Sequence, residues 1–346
     1  MNRTLQPFVF LFASITIVNF DSFGQQTAEL VSALQHDSIP IQLYTFTPKL
    51  MEVDYTRSGR DHRTYKRSSG NSYSYNLGPE QLLTIKSTIP IVKIRKKSAI
   101  SLSVQYNYYD QPSTVDNLKG AQSSHLSSFQ QATFSKVGAS FAHRTSIKNI
   151  KVVFAGSLSI IGKQFWDINQ VNGVFSLAFP LRNTRSTSLT FGINYIYNPS
   201  IAFPVIPTIV YATKLSTHWH FETILPSYIK LRYIYNDKTY FASGVKINSD
   251  KPQYHINGMS VASQLEMRNA AFCFFLNTEY HLGGLFWMSA EAGYNYMARS
   301  RLSQPSGHNN EYLAQAKDEG ALYGNVGIFI RPPLKMVLAK MKQKRS

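Results

Sequence analysis

The run from Ile100 to Tyr108, Ile-Ser-Leu-Ser-Val-Gln-Tyr-Asn-Tyr, constrains this chain more than any other stretch. Ile100, Leu102, Val104, Tyr106 and Tyr108 stand at every second position, with Ser101, Ser103, Gln105 and Asn107 between them. Successive side chains of a strand point to opposite faces, so the run has one apolar and one polar face. The apolar face ends in tyrosines, which suit the boundary between hydrocarbon and water. About ten residues of this kind make one strand of a transmembrane barrel, apolar toward lipid and polar toward the lumen.

The pattern recurs along the sequence. Met51, Val53 and Tyr55 oppose Glu52 and Asp54, and Leu83, Ile85, Ile89 and Ile91 oppose Thr84, Lys86 and Thr88. Val137 to Phe141, Val152 to Ile160, Phe175 to Phe179 and Leu189 to Tyr197 follow suit, then Val205 to Tyr211 and Trp219 to Leu225. Ile229 to Tyr235, Phe241 to Ile247, Val261 to Met267, Phe272 to Tyr280, Phe286 to Tyr296 and Leu322 to Ile330 complete the series. Arg95-Lys96-Lys97, Arg182 to Ser186 and Asn236-Asp237-Lys238 read as tight turns, while 57–79, 110–128 and 299–320 read as long loops. Short turns alternating with long loops fit a bacterial outer-membrane barrel of Gram-negative type.

The series gives about fifteen strands, whereas single-chain bacterial barrels prefer even numbers. The expected fold is therefore all-β, an antiparallel transmembrane β-barrel of about 14 strands, with 12 or 16 also open. The surplus boundary is expected near Pro226, where two short strands would merge. A soluble β-sandwich is the competing architecture, because alternation alone does not say which face is wet. The polar faces carry mostly Ser, Thr, Asn, Gln and Gly rather than Lys and Glu, and tyrosines gather at strand ends, which favours the barrel.

Mean hydropathy of −0.20 looks soluble. It says little here, since a barrel hides its membrane face in alternation. Past the leader, no segment approaches the roughly 20 consecutive apolar residues of a spanning helix. Arg3, the apolar run Phe8 to Val18 and Ser22-Phe23-Gly24 form an export signal, with cleavage expected after Gly24. No cysteine follows that site, which argues against a lipoprotein. The expected organisation is a signal peptide over 1–24, a periplasmic segment over 25–40, the barrel over 41–331 and a basic tail over 332–346. The single cysteine, Cys273, excludes an intramolecular disulfide framework.

The formal charge is +17, which raises nucleic acid as a partner. An exported barrel points instead to outer-membrane lipid, lipopolysaccharide phosphates or an anion-accepting lumen, with no nucleic acid expected. Arg57, Arg60, Arg63, Lys66 and Arg67 of the first long loop are expected to face lipopolysaccharide.

The Phe-Gly-Gln end of the leader, Phe203-Pro-Val-Ile-Pro207, Trp219, Ile224-Leu225-Pro226, Leu231-Arg232-Tyr233 and Glu291-Ala292-Gly293-Tyr294 resemble an outer-membrane β-barrel family of Bacteroidota-type bacteria, a domain of unknown function. The resemblance covers most of the mature chain. It implies architecture, location and folding by barrel-assembly machinery, and brings no catalytic residues or cofactor. One departure concerns the C-terminus. Such barrels commonly end on an aromatic residue, whereas this chain ends Lys342-Gln343-Lys344-Arg345-Ser346, so either Phe329 closes the barrel and a basic tail follows in the periplasm, or the strand end is unusual.

Several inward-facing groups could carry chemistry. His218, His220 and Glu222 fall on one face of a strand, about 7 Å apart in sequence steps of two. His-x-His can bind zinc, although three ligands from one strand stretch the tetrahedral geometry. Glu266, Glu279 and Glu291 are placed inward on three successive strands, with His281 nearby. A Gly283-Gly284-Leu285 hairpin loop would set Asn277 opposite Glu291 and His281 opposite Trp287. Paired carboxylates can act as acid and base. Salt bridges to Lys230, Arg232 and Lys246 are the plainer reading. No Gly-x-Ser-x-Gly, P-loop, dinucleotide fingerprint, CxxC or HExxH occurs, so neither enzyme chemistry nor a cofactor is indicated.

Lys86, Lys136, Lys230, Arg232 and Lys246 are all expected inward, and rings of basic side chains favour anions. A passive pore or binding barrel for small solutes, anionic ones among them, is thus the leading expectation. A barrel without a pore, its lumen neutralised by Glu52, Asp54 and the glutamates, is the first alternative. A lipid-modifying outer-membrane enzyme is the second.

Overall fold

The computed structural model describes residues 49–332, less 60, 68–71, 78, 95–96, 111–112, 117–130, 149, 163–167, 185, 198–203, 249–265, 304–313 and 319. The expected leader (1–24), the periplasmic segment (25–40) and all of the basic tail beyond Pro332 lie outside the described residues. Eighteen strands follow in chain order: β1 (Met51–Ser58), β2 (Asp61–Arg67), β3 (Ser72–Leu77), β4 (Gln81–Ile94), β5 (Ser98–Asp110), β6 (Ser113–Asp116), β7 (Gln131–Ile147), β8 (Ile150–Gly162) and β9 (Ile168–Asn183). The series continues with β10 (Thr187–Tyr197), β11 (Val205–Lys214), β12 (Trp219–Leu225), β13 (Tyr228–Ile234), β14 (Thr239–Asn248), β15 (Glu266–Gly283), β16 (Phe286–Ser303), β17 (Ala314–Asp318) and β18 (Ala321–Ile330).

Fourteen of these form a closed antiparallel barrel. Each strand pairs with the next, and β1 closes the ring by pairing with β18 (Met51 with Ile330 through Ser58 with Tyr323) and with β4 (Glu52 with Lys86). Closure leaves no unpaired edge, which is what permits a sheet to stand in hydrocarbon. The remaining four strands extend one end of the barrel: β17 pairs with β16 and β2, β2 with β3, and β3 with β6. They lie within the three expected long loops, so those loops carry sheet of their own.

The surplus strand lies elsewhere than expected. Pro226 separates two true strands, β12 and β13, joined through Leu225-Pro226-Ser227. Of the stretch read as a separate strand over 261–267, Glu266 and Met267 belong to β15, which spans 18 residues, and 261–265 lie outside the described residues. A register shift between Ala270 and Ala271 interrupts the period of two, so one long strand reads as two.

The two faces separate by chemistry. Leu102, Phe141, Leu158, Phe175, Ile193, Ile209, Leu276 and Ile328 are exposed on the outside. Ser101, Asn107, Ser159, Asn172, Ser176, Thr190, Asn194 and Thr208 are buried toward the interior. Tight connections gather at the end where β1 starts and β18 stops. In one of them Asn236 Oδ1 accepts the backbone N–H groups of Lys238 and Thr239 at 2.8 Å, the Asx device expected of a turn. In another, Gly283 and Gly284 supply the positive φ that the β15–β16 hairpin requires.

Candidate functional site

The interior has two unlike walls. Along β5 and β7–β11 it is lined mainly by small and neutral polar groups, interrupted by an apolar cluster of Val174, Ile196 and Ile206 and by the charged Lys136. Ser101 and Ser140 share a 2.6 Å hydrogen bond, and Asn194 donates to Thr208 on the neighbouring strand. Lys136, on β7 and buried, stands opposite Gln105 of β5. Along β12–β16, β18 and β1 the wall is ionic and aromatic. Period-two alternation puts these charges on the inner face, and each strand brings its neighbour's partner alongside.

Glu222 on β12 is fully buried, and its carboxylate meets Lys230 Nζ at 2.8 Å and Arg232 Nε at 3.1 Å, both from β13. Lys230 is its direct cross-strand partner and Arg232 the diagonal one. Lys246 on β14 reaches across β15 to Glu291 on β16 at 2.7 Å, where Tyr323 donates to the same carboxylate oxygen at 2.8 Å. Arg331, just past β18, pairs with Glu279 at 2.9 Å. Its guanidinium also lies 4.3 Å from the Trp287 ring centre and 5.1 Å from that of Phe329. Trp287 Nε1 donates back to the Arg331 carbonyl at 3.1 Å. Lys49, ahead of β1, pairs with Glu52 and lies over the Phe329 ring at 4.3 Å. Burial works against the Lys49 ammonium, but the carboxylates of Glu52, Asp54 and Glu279 outweigh it and hold its pKa above the ordinary lysine value.

The predicted residues divide accordingly. Glu222, Lys230 and Arg232 come together, as do Lys246 and Glu291; Lys86 is the cross-strand partner of Glu52. Asn277 stands opposite Glu291 and His281 opposite Trp287, in the register expected from the hairpin. His218 does not join His220 and Glu222. It sits in the turn before β12, exposed, with Nδ1 2.9 Å from the Ile234 carbonyl and its ring on Tyr233. The strand begins one residue too late to carry His218 inward, so the His-x-His-x-Glu set is not assembled. Among the described residues no three His, Cys, Asp or Glu side chains gather at metal-binding distance.

Glu266, Glu279 and Glu291 do not occupy three successive strands: Glu266 and Glu279 are opposite ends of β15, and the Glu266 side chain lies outside the description. Of the loop cluster, Arg57 is exposed at the end of β1; Arg60 and the side chains of Arg63, Lys66 and Arg67 are outside the described residues. Arg331 is the residue that sequence reasoning missed. The sequence reading ends the last strand at Ile330 and gives Arg331, the final residue of the expected barrel, no role, although alternation continued from Phe329 puts it on the inner face.

Solved structures with which the chain overlays are bacterial outer-membrane proteins. An outer membrane channel from Pseudomonas putida F1 is 9% identical, with 81% of this chain and 94% of that one covered at a TM-score of 0.38. A Pseudomonas aeruginosa FadL homologue is 11% identical, with 84% and 92% covered at 0.39. The Pseudomonas putida toluene transporter TodX is 10% identical, with 86% and 93% covered at 0.28. No family model and no curated protein matches the chain. At such scores the overlay assigns no residue of this chain a role, and the barrel stands on its own strand ladder.

Proposed function

We propose that the chain is an outer-membrane barrel whose lumen passes or holds small polar solutes. One observation carries this reading: a closed ladder with exposed aliphatic side chains outside and hydroxyl, amide and charged groups inside. That division is the one a bilayer imposes on a barrel. The outer face is also banded. Tyr195, Tyr197, Tyr294 and Tyr296 are exposed toward the end with long connections, and Trp219, Tyr235 and Phe286 toward the end with tight turns. Aromatic girdles at both levels suit the two interfaces. Lipopolysaccharide at the Arg57 end and barrel-assembly machinery are the partners that such a location supplies.

The solute preference is broader than the sequence suggested. Lys230, Arg232 and Lys246 each face a carboxylate, which removes the basis for a strong bias toward anions. We read the lumen as suited to small neutral or zwitterionic solutes, with hydroxyl groups on one wall and paired charges on the other. A second reading, a structural barrel without a pore, draws on the closely packed Tyr240, Trp287 and Phe329 against Arg331 near the tight-turn end.

Planar-bilayer recording of the purified protein separates the two. Discrete conductance steps with a reversal potential near zero in a potassium chloride gradient are expected. An intact, correctly folded protein that never conducts would overturn the pore and leave the structural barrel.

A further inference from the structure

The tight-turn end of the barrel carries charge of nearly one sign. Lys97, Lys148, Lys151, Arg182, Lys214 and Lys238 are exposed there, on five different turns or strand ends around the ring. Among the described exposed residues of those turns, Asp237 is the acidic one. Four of these cations are near neighbours in the chain of a large exposed apolar side chain. Lys148 lies between Ile147 and Ile150, Arg182 follows Leu181, Lys214 precedes Leu215, and Lys238 follows Tyr235 in the same turn. Leu181 is 65% exposed and Leu215 61%, and on the membrane-barrel reading these apolar groups are the ones available to the acyl region.

On that reading, the pairing of exposed apolar and cationic residues sets the level of the rim. An apolar side chain in the acyl region beside an ammonium or guanidinium reaching outward is the arrangement of a group at headgroup level. Cations held there meet phosphates, whereas a soluble polyanion would be met by cations standing clear of the apolar band. We propose that the tight-turn rim is a ring of sites for anionic phospholipid headgroups, in the leaflet that surrounds it. The inference rests on the reading of the chain as a membrane barrel. It adds a lipid preference that a barrel with a mixed-charge rim would lack, and it accounts for part of the +17 charge without an anionic solute.

Trp219 reports on this rim. It is 42% exposed at the start of β12, directly after the turn that carries Leu215, whereas Trp287 is 1% exposed inside the barrel. The full chain with Trp166→Phe, placed in vesicles of phosphatidylcholine and phosphatidylglycerol, allows quenching by brominated forms of either lipid to be compared. Brominated phosphatidylglycerol is expected to compete about threefold to fivefold better for the positions beside Trp219 at low salt, falling toward parity at high salt. A variant with Lys148→Gln, Arg182→Gln, Lys214→Gln and Lys238→Gln should lose the preference while brominated phosphatidylcholine still quenches it. Equal quenching by the two lipids in the parent would overturn the anionic ring and leave the membrane barrel standing. Quenching by neither would overturn the membrane barrel itself. A preference that the variant retains would assign it to other groups and likewise overturn the ring.

Discussion

Tyr323 on β18 lies across Gly293 on β16, so that a Cβ at position 293 would stand 2.6 Å from Tyr323 Cε1. The two residues are register partners. The missing side chain lets the ring lie flat on the strand and deliver its hydroxyl to Glu291, where Lys246 also donates. A glycine thus shapes an ion pair two residues away.

Gly293→Ala is expected to destabilise the barrel by about 1–3 kcal/mol, the usual cost of forcing a methyl group into filled space. Its Cβ would also press on the Phe274 carbonyl oxygen of the adjoining strand. Tyr323→Phe, which keeps the ring and loses only the hydroxyl, should cost about 1 kcal/mol. Denaturant midpoints in detergent would show the order; equal stability of the alanine variant and the parent would contradict the packing.

Glu222 has no exposure and faces two cations. Removing one partner from a buried ionic group leaves the others uncompensated, at roughly 3–5 kcal/mol. Glu222→Ala should therefore lower the unfolding midpoint strongly. The triple change Glu222→Leu, Lys230→Met and Arg232→Met should recover much of the loss, because an apolar replacement of a whole buried ion cluster is often neutral. A triple variant as weak as the single would contradict this account.

Arg331 holds Glu279 and lies against Trp287 and Phe329, where β18 ends against β16. Arg331→Lys keeps the charge but loses the flat stacking surface and the fixed donor fork. It is expected to lie between the parent and Arg331→Ala in unfolding midpoint, with Trp287 fluorescence altered in both. A lysine variant indistinguishable from the parent would reduce Arg331 to a point charge.

Cys273 is fully buried on β15, while Leu276 of the same strand is 68% exposed on the outer face. In the folded protein Cys273 should resist a maleimide and react once the barrel is boiled in detergent. With Cys273→Ser in place, Leu276→Cys should accept a lipid-soluble maleimide in the folded state. Rapid labelling of Cys273 in folded protein would contradict the assigned faces.

Much of the barrel was legible in the sequence because its two faces meet such different surroundings. Ile100 to Tyr108 alternates strictly, and β5 runs through it from Ser98 to Asp110. Where the phase slips, legibility fails. The shift at Ala270 and Ala271 divided β15, and with it the expected position of Glu266. β2 and β17 were hidden for another reason: Asp61–Arg67 and Ala314–Asp318 lie beyond the barrel proper and show no apolar face. The ion pairs were legible only in part. That Lys246 would meet a glutamate followed from inward alternation, but its choice of Glu291 depended on Tyr323 and Gly293 from strands far along the chain. His218 failed by one residue, since alternation does not say where a strand begins.

The central claim is a barrel folded within an outer membrane, and heat-modifiable electrophoresis of protein taken from fractionated cells tests it most directly. The expected result is recovery in the outer-membrane fraction, with a faster-migrating band in unboiled sample that shifts on boiling, because closed barrels of this kind stay folded in detergent. A single unshifted band from protein recovered in the soluble periplasm would contradict the claim and favour a soluble β-sandwich.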